Sequence, residues 1–194
     1  MNGLDFRPWP VIILDTETTG LLHDDYASVI ELGAVALDHT GYEVGAFDML
    51  IKPVFHIDMN DPGCAKAMEV NGIDVKALEN APDRAHVWDA FVWWACACAT
   101  GFPVTAYNQR FDRGMMARVG GEHAAEAMPW APWCLQQKAR DCRPAGRKVF
   151  KLSKICFELG LIESESVQNH RALDDCRLEA ELLREMVRRD GDLS

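Results

Sequence analysis

The distribution of apolar and polar residues predicts three strands near the start of the chain. Residues 11–14 form a short, continuous apolar run rich in β-branched side chains, which is typical of a strand buried on both faces. Residues 28–38 form a second such run, and a third strand is predicted at residues 42–51, after a turn signal at residues 38–41. Because this short turn joins the second and third strands, we expect them to be antiparallel.

Apolar residues recur at helical spacing in several later segments. Residues 83–99 and 109–119 are predicted helices, separated by a strand candidate at residues 103–106, whereas residues 120–146 give an ambiguous pattern. The apolar face of the first helix is predicted to contain Trp88, Phe91, Ala95 and Cys98. The last helix is the most strongly amphipathic, with an apolar face formed by Leu173, Cys176, Ala180, Leu183 and Val187. This order predicts a mixed α/β sheet with helices on both faces.

Composition narrows the class of protein. The chain has 194 residues, of which 48% are hydrophobic and 26% charged, so we expect one globular domain spanning residues 1–194. The longest nearly apolar run, residues 90–99, is half of the ~20 residues that a bilayer requires, and the N-terminus lacks the pattern of a signal peptide. Seven cysteines without a Cys-x-x-Cys pair predict reduced thiols and a cytoplasmic location.

The charge is distributed unevenly along the sequence. The net charge is −10, from 30 acidic and 20 basic residues, and this balance argues mildly against a polyanionic partner. Residues 138–154, which we call the basic segment, nevertheless contain seven basic residues and one acidic residue. Two interpretations stay open: the basic segment follows a phosphate backbone, or it is an ordinary solvated surface.

Two carboxylates lie close together at the end of the first predicted strand. Asp15 and Glu17 are two residues apart, so the period of a strand places both on one face. Two like charges this close repel each other unless a cation lies between them, and Mg²⁺ prefers such oxygen ligands. The alternative is a pair of solvated acids at a turn.

Three further polar residues are candidates for chemistry. Asp112 is expected in the first turn of a helix that follows a strand, although the helix dipole alone would favour an acid there. His170 and Asp175 would not share a face of one continuous helix. They converge if His170 lies on the preceding loop and Asn169 caps the helix. A histidine beside carboxylates is a candidate general base, and a surface histidine is the alternative.

In combination, these segments resemble a known family. Asp15-Thr-Glu-Thr-Thr-Gly20, Asn108-x-x-Phe-Asp112 and His170-x-Ala-x-x-Asp175 are similar to the three exonuclease motifs of the DnaQ-like DEDDh 3′→5′ exonucleases, in the same order. The resemblance extends from about residue 11 to residue 187. Arg171 stands where the sister subclass has tyrosine, which favours the histidine subclass. Tyr107 replaces the histidine that often precedes the second motif, so local substrate contacts are expected to differ.

The resemblance implies a fold, cofactors and site residues. The implied fold is RNase H-like, with a mixed five-stranded sheet in which three antiparallel strands come first and parallel strands follow. Two divalent ions, Mg²⁺ or Mn²⁺, are implied as cofactors, and their ligands would be Asp15, Glu17, Asp112 and Asp175. These four residues and the general base His170 form the implied catalytic set. The residues implied to bind the substrate are Thr18, Thr19, Leu21 and Asn108.

The expected function is hydrolysis of the terminal phosphodiester at single-stranded or frayed 3′ ends, releasing nucleoside 5′-monophosphates. DNA is favoured as the substrate. An RNA-trimming enzyme of the RNase T or oligoribonuclease type is the main alternative, although oligoribonucleases usually carry methionine where this chain has Thr18. A non-catalytic interaction domain on the same scaffold is a third hypothesis. The expected partners are a nucleic acid 3′ end, with a second copy or a polymerase as further possibilities and no membrane. Trp93 or Trp94 is expected to cover a sheet edge or to form a partner surface.

Overall fold

A sheet flanked by helices forms the described part of the chain. The computed structural model describes residues 8–141, 151–164 and 170–191. The strands are β1 (Val11–Thr18), β2 (Val29–Leu37), β3 (Glu43–Leu50) and β4 (Val104–Thr105). The helices are α1 (Pro62–Asn71), α2 (Val75–Glu79), α3 (Arg84–Cys98), α4 (Gln109–Gly120), α5 (Glu122–Ala127), α6 (Leu135–Asp141), α7 (Leu152–Glu158) and α8 (Ala172–Gly191).

The strand order in the sheet is β3-β2-β1-β4. β1 pairs antiparallel with β2, β2 pairs antiparallel with β3, and β4 lies parallel to β1, as expected for this mixed sheet. The expectation of five strands was too high, since four are formed within the described residues. In place of the fifth, Trp130 makes a single parallel bridge with Val104. Prolines at positions 129 and 132 flank Trp130, and because proline has no N–H group, the ladder stays short.

β1 is longer than its apolar run predicts. The apolar residues end at Leu14, but the strand continues through Asp15 and Glu17 to Thr18. Asp15 lies opposite Gly33 and Glu17 lies opposite Glu31 on β2, with a register shift directly after Glu17. The backbone of β2 therefore holds the polar end of β1 in the sheet, although the side chains alone signalled a turn.

The two faces of β1 contribute to two different parts of the core. Ile12 and Leu14 belong to the apolar cluster formed with α3 and α4. Val11 and Ile13 belong to the cluster formed with α7 and α8. Because side chains alternate between the faces of a strand, Asp15 and Glu17 continue the row that faces α8.

The buried face of α3 is rotated relative to the predicted one. The residues buried on this helix are Val87, Phe91 and Trp94. Trp88 and Ala95 are only partly buried, and Cys98 is exposed. The predicted apolar face was therefore wrong at Cys98, because Trp94 takes the inward position and packs on Phe91 with ring centroids 5.8 Å apart. Trp93 is left 75% exposed.

α8 packs across β1 and β2 through the face that was predicted. Cys176, Ala180 and Leu183 are buried, and Leu173 and Val187 are partly buried. The same face also buries Glu179, which the apolar pattern did not indicate. Within the described ranges, no helix is both long and apolar enough to cross a bilayer.

Two expectations fall on residues that the structure does not describe. The central part of the basic segment, residues 142–150, lies outside the described residues, and so does Asn169, the expected helix cap. The two interpretations of the basic segment therefore stay predictions.

Candidate active site

Three carboxylates converge where β1 and α8 meet. One oxygen from each of Asp15, Glu17 and Asp175 lies within 4.8 Å of the others. The period of β1 places Asp15 and Glu17 on one face, and the first turns of α8 bring Asp175 to the same face. The family resemblance implied that these three residues lie together, and the fold brings them together.

Asp112 approaches the carboxylates from the opposite helix layer. It lies in the first turn of α4 and is only 2% exposed. Thr16, between the two acids of β1, donates a hydrogen bond of 2.9 Å from Oγ1 to Oδ1 of Asp112. Asp112 lies outside the group of three defined by the 4.8 Å limit, but it is close enough to Asp15 to raise the pKa of that residue. Four acidic side chains from β1, α4 and α8 therefore form one centre.

Burial and mutual repulsion raise the pKa values of the carboxylates at the centre. Burial raises the pKa of Asp15 well above its usual value, and repulsion from Asp112, Glu179, Glu17 and Asp175 adds to this rise. Burial and then Asp175 raise the pKa of Glu17 to about 8. Burial raises the pKa of Asp112 to about 7, against the opposing effect of the hydrogen bond from Thr16. A cation between the carboxylates would reverse this trend.

His170 lies at the edge of the same centre. It precedes α8 and has a positive φ of 47°, so it lies on the loop, as its separation from Asp175 required. Its Nδ1 lies 3.9 Å from Oδ2 of Asp175, and 40% of its side chain is exposed. The imidazole is therefore both next to the carboxylates and accessible to water.

Hydrogen bonds hold the start of α8 against β2. The Arg171 guanidinium donates hydrogen bonds from Nε and Nη2 to the carboxylate of Glu31, and the backbone N–H of Ala172 donates to Oε2 of Glu31 at 3.0 Å. Gly33 permits the close approach, because a Cβ there would lie 2.4 Å from the backbone carbon of Ala172 and the backbone nitrogen of Leu173. These contacts fix the position of His170 relative to β1.

A cavity of about 630 Å³ opens beside the carboxylates. Glu17, Thr18 and Leu21 line one part of it, and Phe111 of α4 lines another. Leu21 is 61% exposed at this cavity. The volume lies in the range of sites that bind small molecules.

The other predicted substrate-binding residues differ in accessibility. The hydroxyl of Thr18 donates to the carbonyl of Gly20 at 2.7 Å, and that of Thr19 accepts from the N–H of Ser28 at 2.8 Å. Both threonines are buried, and Thr19 lies outside the lining of the cavity. Asn108 is exposed at the start of α4 and makes no side-chain capping bond there. Thr18 and Thr19 therefore shape the backbone of this loop, whereas Leu21 and Asn108 are exposed.

Arg118 holds the loop that carries Leu21. Its guanidinium, on α4, donates hydrogen bonds to the carbonyl oxygens of Leu22, Asp24 and Ala27 at 2.9, 2.8 and 2.6 Å. Three carbonyl acceptors on one guanidinium fix the loop relative to the helix that also carries Asp112.

The motifs assigned no supporting role to several residues that stabilise the centre. These are Thr16, Glu31, Arg118, Arg171 and Glu179. For Glu31 and Glu179 a signal existed, since each is a charged residue in a run that is otherwise apolar on its buried face. For Arg118 the sequence held no signal, because its partners are backbone carbonyls of a distant loop.

The donor set fits a hard divalent cation. All the ligand atoms available at the centre are carboxylate oxygens, which Mg²⁺ and Mn²⁺ prefer, and no thiol or imidazole belongs to the group of three. The carboxylates repel one another as they stand. The site is therefore suited to a divalent cation, without a preference between Mg²⁺ and Mn²⁺.

Known proteins share both this sequence pattern and this fold. The family model of the RNase T exonucleases matches residues 12–183. The DNA polymerase III subunit epsilon of Pasteurella multocida is 29% identical over 185 residues, covering 91% of this chain and 66% of that subunit. The chain therefore spans just under two thirds of the length of this relative.

Solved structures agree with the fold. E. coli exonuclease I in complex with a dT13 oligonucleotide superposes with a TM-score of 0.71 at 17% identity, covering 94% of this chain and 42% of that one. The nuclease domain of 3′hExo, a DEDDh family member bound to rAMP, superposes with a TM-score of 0.61 at 18% identity, covering 94% and 92%. The resemblance inferred from the three motifs is thus confirmed, and the chain belongs to the RNase T family of exonucleases.

Proposed function

We propose that this protein is a metal-dependent 3′→5′ exonuclease that removes nucleoside 5′-monophosphates from single-stranded or frayed DNA 3′ ends. The observation that carries this proposal is the convergence of Asp15, Glu17 and Asp175, with Asp112 behind them, beside an open cavity. Family membership alone would not require these side chains to meet. A non-catalytic domain would have no reason to hold mutually repelling carboxylates together.

The four acidic residues are proposed to hold two divalent ions, Mg²⁺ or Mn²⁺. Such ions stabilise the entering and leaving oxygens of a displacement at phosphorus. Two contacts within the chain position these ligands. Thr16 orients the carboxylate of Asp112 through a hydrogen bond. The hydrogen bonds between Arg171 and Glu31 fix the start of α8, which carries Asp175.

His170 is proposed as the general base that takes a proton from the attacking water. Its Nδ1 faces Asp175, so Nε2 is the ring atom available to accept the proton. The carboxylate of Asp175 would then stabilise the imidazolium that forms. The exposed edge of the ring would let the proton leave to solvent after each turnover.

The cavity is proposed to hold the terminal nucleotide. Leu21 and Phe111 offer apolar surface to the last base, while the backbone near Thr18 and Thr19, with Glu17, would bind the 3′-hydroxyl. Asn108, exposed at the start of α4, is proposed as a further substrate contact. Because the hydroxyls of Thr18 and Thr19 are engaged within the loop, main-chain groups rather than these side chains would carry the recognition.

DNA is proposed as the substrate because the polymerase subunit matches over most of this chain. RNA is the second candidate, since the structure of the 3′hExo nuclease domain, most of which this chain covers, contains rAMP. We further propose a single exonuclease domain in the cytoplasm, where reduced thiols such as the free Cys64, Cys156 and Cys176 persist. A polymerase subunit or a second copy of the chain is the proposed protein partner.

The substrate proposal is tested with three oligonucleotides of matched sequence: single-stranded DNA, duplex DNA and single-stranded RNA. With a 5′ label, 3′→5′ removal gives a ladder that shortens one nucleotide at a time, whereas a 3′ label is released at once as mononucleotide. We expect the fastest shortening on single-stranded DNA in Mg²⁺ or Mn²⁺. Faster shortening of RNA would favour RNA trimming instead of DNA degradation. If none of the three oligonucleotides is shortened, both proposals are contradicted.

A further inference from the structure

Glu179 is a buried acidic residue that the exonuclease motifs do not include. It lies on α8 with no exposed surface. Neither carboxylate oxygen has a hydrogen-bonding partner with good geometry among the described residues. A buried carboxylate without hydrogen-bonding partners is strongly unfavourable unless a positive charge compensates it.

The position of Glu179 on α8 places its side chain next to the carboxylate centre. It lies one helical turn after Asp175, so the two side chains share a face with Cβ atoms about 5–6 Å apart. After burial, the largest effects that raise the pKa of Glu179 are repulsion from Asp112 and from Asp175. The backbone of Tyr107, at the end of the adjacent strand region, opposes this rise only as the smallest contribution.

Arg171 and two arginines of α8 have other carboxylate partners. Arg177 pairs with Glu43 at 3.0 Å, and Arg184 pairs with Glu181 at 2.8 Å. Arg171 is bound to Glu31. These three arginines are thus engaged away from Glu179, and a divalent cation bound at the centre would supply the charge that compensates it.

We propose that Glu179 is a fifth acidic residue of the metal centre, lying beneath the four ligands and strengthening the hold of the protein on divalent cations. This inference rests on the proposed function. Glu179 acts through its neighbours rather than on the substrate, so it is a positioning residue. Its side chain has no exposed surface, and a negative charge attracts a cation much more strongly in the interior of a protein than at the surface.

The test measures Mn²⁺ binding without any nucleic acid. Glu179→Gln keeps the shape of the side chain and removes its charge, and titration of Mn²⁺ followed by electron paramagnetic resonance reports the affinity directly. We expect Mn²⁺ affinity to fall about 10–100-fold, the usual effect of losing a group that supports metal ligands. Thermal unfolding of the metal-free variant is expected to stay close to that of the wild type, because the substitution keeps the shape of the buried side chain.

Matched variants separate this effect from a general loss of charge. Glu181→Gln removes a carboxylate that is 60% exposed two residues further along α8, and we expect it to bind Mn²⁺ as the wild type does. Glu179→Met fills the same volume without polar atoms and should weaken Mn²⁺ binding as the Gln variant does. Asp15→Asn serves as the reference for loss of a direct ligand.

Each outcome decides between the hypotheses. If the Gln and Met variants bind Mn²⁺ as tightly as the wild type while Asp15→Asn does not, this inference is overturned and the proposed function stands. If the wild type itself does not bind Mn²⁺, the proposed function fails and the inference fails with it. Failure of both Glu179 variants to fold in the metal-free state would show a purely structural role and would also overturn the inference.

Discussion

At the residue scale, His170 is the side chain whose role is most open to direct measurement. Its imidazole is adjacent to Asp175 and 40% of the side chain is exposed, so its removal should leave the fold intact. We predict that His170→Ala slows single-turnover cleavage by ~10²–10⁴-fold, the usual contribution of a general base. Binding of single-stranded DNA should change little.

The control for this variant is His123→Ala, which removes an exposed histidine of α5. It should cleave at the rate of the wild type. Rates for His170→Ala that match those of the control would remove His170 from the mechanism and leave it as a surface histidine.

The sequence identified the residues of the centre better than their surroundings. Period two on a strand and the separation of His170 from Asp175 are local rules, so the pair Asp15–Glu17 and the pair His170–Asp175 could each be predicted from the sequence. Only the family resemblance placed the two pairs in one centre. Thr16 and Arg171 could not be assigned, because their partners Asp112 and Glu31 lie 96 and 140 residues away in sequence. Contacts of that range depend on the packing of whole elements, which no local pattern contains.

At the element scale, the placement of α8 on β2 decides whether the centre forms. Gly33 is the position where these two elements come closest. We predict that Gly33→Ala lowers the free energy of unfolding by about 1–3 kcal/mol, because the added methyl group collides with backbone rather than with a mobile side chain. Cleavage should slow as well, since α8 carries Asp175. Urea denaturation and the cleavage assay measure the two effects.

Gly45→Ala on β3 is the matched control for this substitution. A Cβ there meets the Cys98 side chain at 3.1 Å and Trp94 Nε1 at 3.3 Å, and these side chains can adjust. We expect a smaller loss of stability and normal cleavage. Equal effects of the two substitutions would show that the approach of α8 to β2 is not specially restricted at Gly33.

The boundaries of the elements were harder to predict than their order. The antiparallel pairing of β2 with β3 and the helices on both faces follow from the sequence pattern, and the family resemblance implied the parallel β4. The end of β1 and the buried face of α3 do not, because the neighbouring strand β2 and the shape of Trp94 determine them. The expected fifth strand is replaced by a single bridge at Trp130, and the two prolines around this residue are an equally local reason.

At the scale of the whole molecule, the net charge of −10 gains a physical interpretation. Part of the acidic excess is concentrated in one buried centre, so the sum does not exclude a polyanionic substrate. The same concentration makes the metal-free protein sensitive to pH. The pKa of Asp112 is raised to about 7 and that of Glu17 to about 8, so the folded protein retains protons that the unfolded chain releases near pH 4.

We therefore predict that the metal-free protein loses stability as the pH rises from about 5 to about 8. The sign follows because the folded state binds more protons than the unfolded state throughout that window. Denaturant unfolding in EDTA at several pH values measures the slope, and Asp112→Asn should make it shallower. Mg²⁺ should restore stability at pH 8. A stability that is constant or rises over this range would contradict the account of the centre.

The most direct test of the central claim is the dependence of 3′-end cleavage on metal and on Asp15. Protein stripped with EDTA is mixed with 3′-labelled single-stranded DNA, and release of labelled mononucleotide is followed as Mg²⁺ is added, for the wild type and for Asp15→Asn. We predict no release before Mg²⁺ is added, rapid release by the wild type afterwards, and none detectable from the variant, since a neutral amide cannot replace the charge of the carboxylate. Release in EDTA, or equal release by the two proteins in Mg²⁺, would contradict the claim.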